Sequence, residues 1–264
     1  MYNIYINNFN YTKEPVMQNN ADSFFYLPFT VPDYECDINN KMKLSYFMRH
    51  LQEVSTTQLD SLNLGYQRLY SEGTVFLMSK LGIKINRMPI AQENVLFRTS
   101  PQGIKGAQFR RESYLETESG EILGMAQSIW AIVDPETWRI VRPSAFSHKL
   151  AFVPEEKKMQ GDIGVDRVRA EGDIVLNITK HVGYSDLDLN NHLNNCSYAD
   201  IITDALPFEQ MKNCELEHVF IHYHNQAVWK DEISVTTQKD ANNWYYITGL
   251  IESGKCFEAK VLFK

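Results

Sequence analysis

The chain has no run approaching ~18 consecutive apolar residues, so no membrane-spanning helix is expected. Its opening, Met1-Tyr2-Asn3-Ile4-Tyr5-Ile6-Asn7-Asn8, lacks a basic segment leading into an apolar core, and a signal peptide is not expected. Glycine (13) and proline (9) are too scarce for a collagen-like or low-complexity chain. The four cysteines, Cys36, Cys196, Cys214 and Cys256, show no CxxC spacing, which argues against a zinc ribbon or a disulfide scaffold. Reduced thiols in the cytoplasm are the simplest reading. Positive charge is also short, 26 Lys and Arg against 33 Asp and Glu, and a net charge of −7 makes nucleic acid a poor partner.

What is present is an ordinary globular composition. With 264 residues, 44% of them hydrophobic, the chain can bury one large core or two compact ones. After an Asn-rich opening, residues 23–31 read as an aromatic, β-branched strand. A helix follows to about Leu62, with Leu44, Phe47, Met48, Leu51, Val54 and Leu59 near a 3.6-residue period. Asn39 or Asn40 suits its N-cap. Strands are expected over 74–88, 93–102, 106–118 and 121–133, broken at Pro89, Pro101-Gln102-Gly103 and Ser119-Gly120, and closed by Asp134-Pro135-Glu136-Thr137.

The order then repeats. A less patterned stretch at 141–170 reads as a linker between residues 1–140 and 171–264. A strand at 172–183 leads to Asp188-Leu189-Asn190-Asn191-His192, then to a helix ending before Pro207. Strands at 215–225, 231–238, 243–252 and 256–263 complete the set. Asp37-Ile38-Asn39-Asn40-Lys41-Met42 aligns with Asp188-Leu189-Asn190-Asn191-His192-Leu193 at an offset of 151. A duplication is expected, each half an α+β unit with a long helix over a curved antiparallel sheet. Lys41 stands where the second copy has His192, so only one copy carries an imidazole.

His192 titrates near neutrality and suits a general base for water. Asn190 can donate to a carbonyl beside a helix N-terminus, where an oxyanion is stabilised. Asp188 can hold a neighbour. The same residues also suit a plainer part, with Asp188 and Asn190 as caps and His192 on the surface. His218, His222 and His224 share one strand parity with Cys214 nearby, a zinc-type donor set. Same-face neighbours lie ~6–7 Å apart in a nearly linear array, so a polar cleft lining is expected rather than a metal site. Cys196 reads as a packed helix residue. The aromatics, 14 Tyr, 14 Phe and 4 Trp, suit a core or the lining of a channel.

The run Ser185-Asp186-Leu187-Asp188-Leu189-Asn190-Asn191-His192-Leu193-Asn194-Asn195 resembles the signature of the acyl-acyl-carrier-protein thioesterases, double hot-dog enzymes of plants with bacterial relatives. Met48-Arg49-His50-Leu51-Gln52-Glu53 resembles that family's first helix and Leu81 to Pro89 its next strand. Gly120-Glu121-Ile122-Leu123 and Ser128-Ile129-Trp130 resemble the last strands of its first half. The resemblance implies two tandem hot-dog folds and hydrolysis of fatty acyl thioesters of acyl carrier protein. It places Asp188, Asn190 and His192 on catalytic positions, with no cofactor. The family's Tyr-x-x-Glu pattern reads Tyr223-His224-Asn225-Gln226 here, and the cysteine that follows in plant members is Ala227. Gln226 can therefore only orient a water or a neighbour, and the base falls to His192 or Asp188.

The resemblance further implies an acyl channel between the first helix (Leu44, Phe47, Met48, Leu51) and strand 74–88. It also gives a use to residues 80–111, where Lys80, Lys84, Arg87, Arg98, Lys105, Arg110 and Arg111 face Glu93 alone. Lys80, Lys84, Arg87, Arg110 and Arg111 are the expected docking cations for the strongly acidic carrier protein. Rival readings are a coenzyme A thioesterase, a hot-dog dehydratase, and a non-catalytic module that binds acyl chains or carrier protein. One chain supplies two hot-dog units, so a monomer is feasible alongside a homodimer.

Overall fold

A computed structural model of the protein describes residues 24–146 and 168–264, and between them 148, 150, 152, 158, 163 and 165. The Asn-rich opening and most of the expected linker lie outside the described residues. In the first half, β1 (Phe25–Thr30) precedes α1 (Leu44–Ser61) and a short α2 (Tyr66–Ser71). Four strands follow: β2 (Val75–Ile85), β3 (Asn94–Lys105), β4 (Gln108–Thr117) and β5 (Ile122–Val133). In the second half β6 (Asp173–His181) precedes α3 (Ser197–Asp204) and α4 (Phe208–Asn213). Then come β7 (Leu216–Tyr223), β8 (Glu232–Lys239), β9 (Tyr245–Ile251) and β10 (Gly254–Phe263).

The strands form one ten-stranded sheet in the order β1-β3-β4-β5-β2-β7-β10-β9-β8-β6. Read outward from its centre, each half has the same internal order. The halves are joined edge to edge by an antiparallel seam in which Lys80 faces His222, Gly82 faces Phe220 and Lys84 faces His218. Each half thus closes the other's open edge, which would otherwise expose a row of unpaired N–H and C=O groups.

α1 is amphipathic because Leu44, Phe47, Met48, Leu51 and Val54 recur on one face, and all are buried in the core. It packs on β3 and β1 and against α3. Its N-terminus differs from expectation: Lys43 is the capping position and no side chain caps it. Asn39 and Asn40 belong to a tight loop before it. The second helix is also shorter than expected, beginning at Ser197, well past His192. Pro101-Gln102-Gly103 does not end a strand but forms a bulge inside β3, which a proline without an N–H tolerates.

In the second half Phe257 is fully buried, and Tyr198 meets it edge-on at 5.2 Å. Gly249 lies opposite Phe257, and a Cβ there would come within 2.2 Å of the ring. Gly249→Ala is expected to lower unfolding stability by about 1–3 kcal/mol, because an enclosed ring cannot withdraw. Urea unfolding of the variant checks this.

Candidate active site

The duplicated motif folds into the same loop twice. In the first copy Asp37 Oδ1 accepts the amides of Asn39 (2.8 Å) and Lys41 (3.1 Å). In the second, Asp188 Oδ1 accepts the amides of Asn190 (2.8 Å) and His192 (3.2 Å). The Asp37 amide donates to Lys41 O and the Asp188 amide to His192 O, each at 2.8 Å. Asn40 and Asn191 sit at φ 58° and 60°, a left-handed conformation that asparagine tolerates. Asp188 therefore first builds the loop, and the fifth position of the motif is where the two copies diverge.

The second loop reaches across to the first half. A cavity of about 190 Å³ is bounded by Gln52, Ser55 and Leu59 of α1, Phe76, Arg111 and Trp130 of the sheet, and Asp188, Asn190, Asn194 and Asn195. Tyr66 of α2 donates its hydroxyl to Asn190 Oδ1 at 2.6 Å. With its oxygen so engaged, the Asn190 amide has its NH₂ left as a donor. A smaller void continues past Gln52, Ser55, Trp130 and Asn195 to Met48, Leu51, Met78 and Leu81. Of the expected channel residues, Met48 and Leu51 reach this void. Leu44 borders a different cavity, and Phe47 is packed on Phe97 and against Gly124. In the second half Tyr198 of α3 packs edge-on against Tyr223 and Phe257, at 5.3 and 5.2 Å.

His192 is half-buried beside this cavity rather than in its wall, with its ring edge-on to Trp138 at 5.0 Å. Burial pulls its pKa below the ordinary imidazole value, and Asp188 partly opposes that shift. Gln226 is half-buried and also outside the wall. It adjoins the motif through Ala227, whose carbonyl accepts the Leu193 amide at 2.8 Å. Ala227 is fully buried. Cys196 is buried too, and burial pushes its thiol up to about 12, which leaves it inert.

The first loop faces its own cavity, of about 580 Å³, between the Asp37–Leu44 segment, α3 and α4. There Lys41 is paired with Glu215, and Asn39 Nδ2 donates to Lys212 O at 3.1 Å. No imidazole borders it.

The cations expected over 80–111 are not all free for a partner. Arg111 points under α1, is 8% exposed, and donates to Gln58 and to Thr99 Oγ1 (3.1 Å). Burial lowers its pKa to about 10, and it is not available to a docking protein. Arg110 borders the cavity with its Nε buried, and Arg87 is held by Glu93 and Glu121. Lys80 donates to Val165 O at 3.3 Å, and Lys84 lies opposite His218. By strand register Lys80, Lys84, Arg98 and Arg110 share one face of the sheet, and Arg111 lies on the other. The three histidines have other partners: His222 and His224 lie 3.7 and 3.4 Å from Glu258, and His218 stacks on Phe220.

Two residues of the site carry no mark in the sequence. Tyr66 sits in a helix too short for periodicity to reveal, and its contact spans 124 residues. Trp138 lies one residue beyond the expected closing turn, at φ 56°, uncommon for a bulky side chain. An aromatic residue right after a turn signal was the only available hint.

The profile of the acyl-ACP thioesterase N-terminal domain matches residues 22–144, and that of the C-terminal domain matches residues 174–257. The chain belongs to the acyl-ACP thioesterase family. Similar proteins include a chloroplastic acyl-[acyl-carrier-protein] hydrolase of Cuphea viscosissima, 25% identical over 227 residues, covering 81% of this chain and 54% of that protein. A chloroplastic palmitoyl-acyl carrier protein thioesterase of Gossypium hirsutum is 26% identical over 241 residues, covering 81% and 55%. The chain thus spans about half the length of these plant relatives. An acyl-ACP thioesterase structure from Bacteroides thetaiotaomicron superposes with a TM-score of 0.80 at 19% identity, over 92% of this chain and 98% of that one. The 12:0-ACP thioesterase of Umbellularia californica gives 0.76 at 14%, over 91% and 97%. These likenesses establish the α+β fold of the family, two hot-dog units in tandem. Among the described residues, no helix is long and apolar enough to cross a membrane.

Proposed function

We propose that this thioesterase-family chain hydrolyses fatty acyl thioesters of acyl carrier protein, releasing free fatty acid and holo carrier protein and so ending chain growth. The observation that carries the reading is the Tyr66–Asn190 hydrogen bond, which occupies the amide oxygen of a residue in the wall of a cavity bounded by α1 and leaves its NH₂ as a donor. In the proposed reaction Asn190 polarises the thioester carbonyl. His192, kept neutral by its half-buried setting, takes a proton from water as the water oxygen attacks the carbonyl carbon. The C–S bond then breaks, and the proton passes to the departing thiolate. Asp188 holds the loop, and Gln226 assists through hydrogen bonds alone. The acyl chain runs past Gln52 and Trp130 toward Met48 and Leu51. Four free cysteines fit a reducing, cytoplasmic setting for this activity.

The test is release of free fatty acid from acyl carrier protein and coenzyme A thioesters of several chain lengths. Turnover that favours the carrier protein is expected. Equal turnover of both would transfer the protein to coenzyme A substrates. Carrier binding without any turnover would make it a binding module in which Gln226 marks the lost acid.

A further inference from the structure

We propose that the carrier protein docks on the rim around His192, on a surface built from Arg139, Arg142 and Lys230 with Leu189 and Trp229, and not on the strands over 80–111. This rests on the carrier-protein reading above. A thioester carried on a protein must be delivered through a mouth that the carrier itself touches, so the rim of that mouth selects the carrier.

His192 touches the two segments that carry this rim, one through Trp138, with Arg139 and Arg142 following in the chain, and one through Val228. Trp138 packs on the imidazole, and Arg139, the next residue, is exposed. His192 is bridged through its backbone to Val228, which precedes Trp229 and Lys230. Lys230 Nζ lies 4.3 Å from the centre of the Trp229 ring. Among the described residues, Arg139, Arg142 and Lys230 form no ion pair. Of the neighbouring carboxylates, Asp134 accepts from the amides of Glu136 and Thr137, Asp231 Oδ2 accepts from the Val228 amide at 2.9 Å, and Glu136 is exposed. Leu189, in the motif itself, is 83% exposed and Trp229 59%, an outlay of apolar surface that a partner would cover.

The duplicated fold supplies an internal comparison. At the first mouth Ile38 stands where Leu189 stands in the second, and it is 73% exposed. The charge there is mixed, with Asp37, Asp200, Asp204 and Glu215 against Lys41, Lys43 and Lys212. Lys41 is neutralised by Glu215, Lys43 donates to Tyr34 O, and Asp200 and Asp204 border the cavity. An acidic carrier therefore finds, beside the imidazole, cations without carboxylate partners among the described residues, and a mixed-charge lining at the mouth that lacks it.

The experiment compares an acyl carrier protein thioester with a small thioester of the same acyl chain. The combined variant Arg139→Glu/Arg142→Glu/Lys230→Glu is expected to raise KM for the carrier-bound substrate by about tenfold or more, with the small substrate within about twofold. Leu189→Ser should act in the same direction, and 0.5 M salt should reproduce the loss in the unaltered protein. Lys84→Glu/Lys105→Glu should change neither substrate. An equal effect on both substrates, no effect on the carrier-bound one, or a carrier-selective loss in the Lys84/Lys105 variant overturns the proposal. If neither substrate is turned over, the function above fails while docking is still read by fluorescence anisotropy of labelled acyl carrier protein. Weaker binding by the rim variant supports the surface, and unchanged binding overturns it.

Discussion

Replacing His192 by alanine is expected to lower kcat for a fatty acyl thioester by about 10²–10⁴-fold, the usual contribution of a positioned general base. KM should move little, because the ring lies beside the cavity wall and not in it. The same group sets the pH profile. Neutral imidazole is the active form, so the rate falls as pH drops through its pKa. Burial holds that pKa below the ordinary value of 6.5, which places the acid limb under that pH. In the alanine variant the limb should vanish along with most of the rate. Full activity of the variant, or an acid limb that persists in it, would remove His192 from the mechanism.

The second large effect belongs to Asn190. Its replacement by alanine removes the donor aimed at the carbonyl, and a loss of about 10²–10³ in kcat is expected. Tyr66→Phe keeps the donor but frees the amide to turn, a net loss near one hydrogen bond, or about fivefold. The cycle between them is the sharper test. If Tyr66 acts only by holding Asn190, the double variant should be no slower than Asn190→Ala alone. Independent losses that multiply would mean that the tyrosine has a separate role.

The strands were legible in the sequence because β-branched and aromatic runs alternate with unambiguous turn chemistry. The loop was legible because the Asp-x-Asn-Asn spacing satisfies its own backbone: one carboxylate oxygen takes two amides, and the second asparagine accepts a left-handed conformation. The order of strands across the seam was not legible, since β2 and β7 pair over 142 residues at Lys80 and His222 only through the fold as a whole. Single charges change their meaning for a related reason. Arg87 looks like a docking cation until the fold brings Glu121 to it, and Arg111 until α1 covers it. Linear counts of charge do not see the partners that the fold supplies. Tyr66 and Trp138 were missed because each gains its meaning from a residue in the other half of the chain.

The seam between β2 and β7 also settles how the two copies of the loop were free to part ways. In a symmetric pair of identical chains, any change at the fifth motif position appears in both mouths at once. Here both copies are encoded separately yet remain edge to edge, so one mouth can keep His192 while its counterpart adopts a Lys41–Glu215 pair. Tyr66 in one half and Asn190 in the other meet at an effective concentration set by the shared sheet. The pairing of Tyr66 with Asn190 is therefore a property of each single molecule, indifferent to dilution.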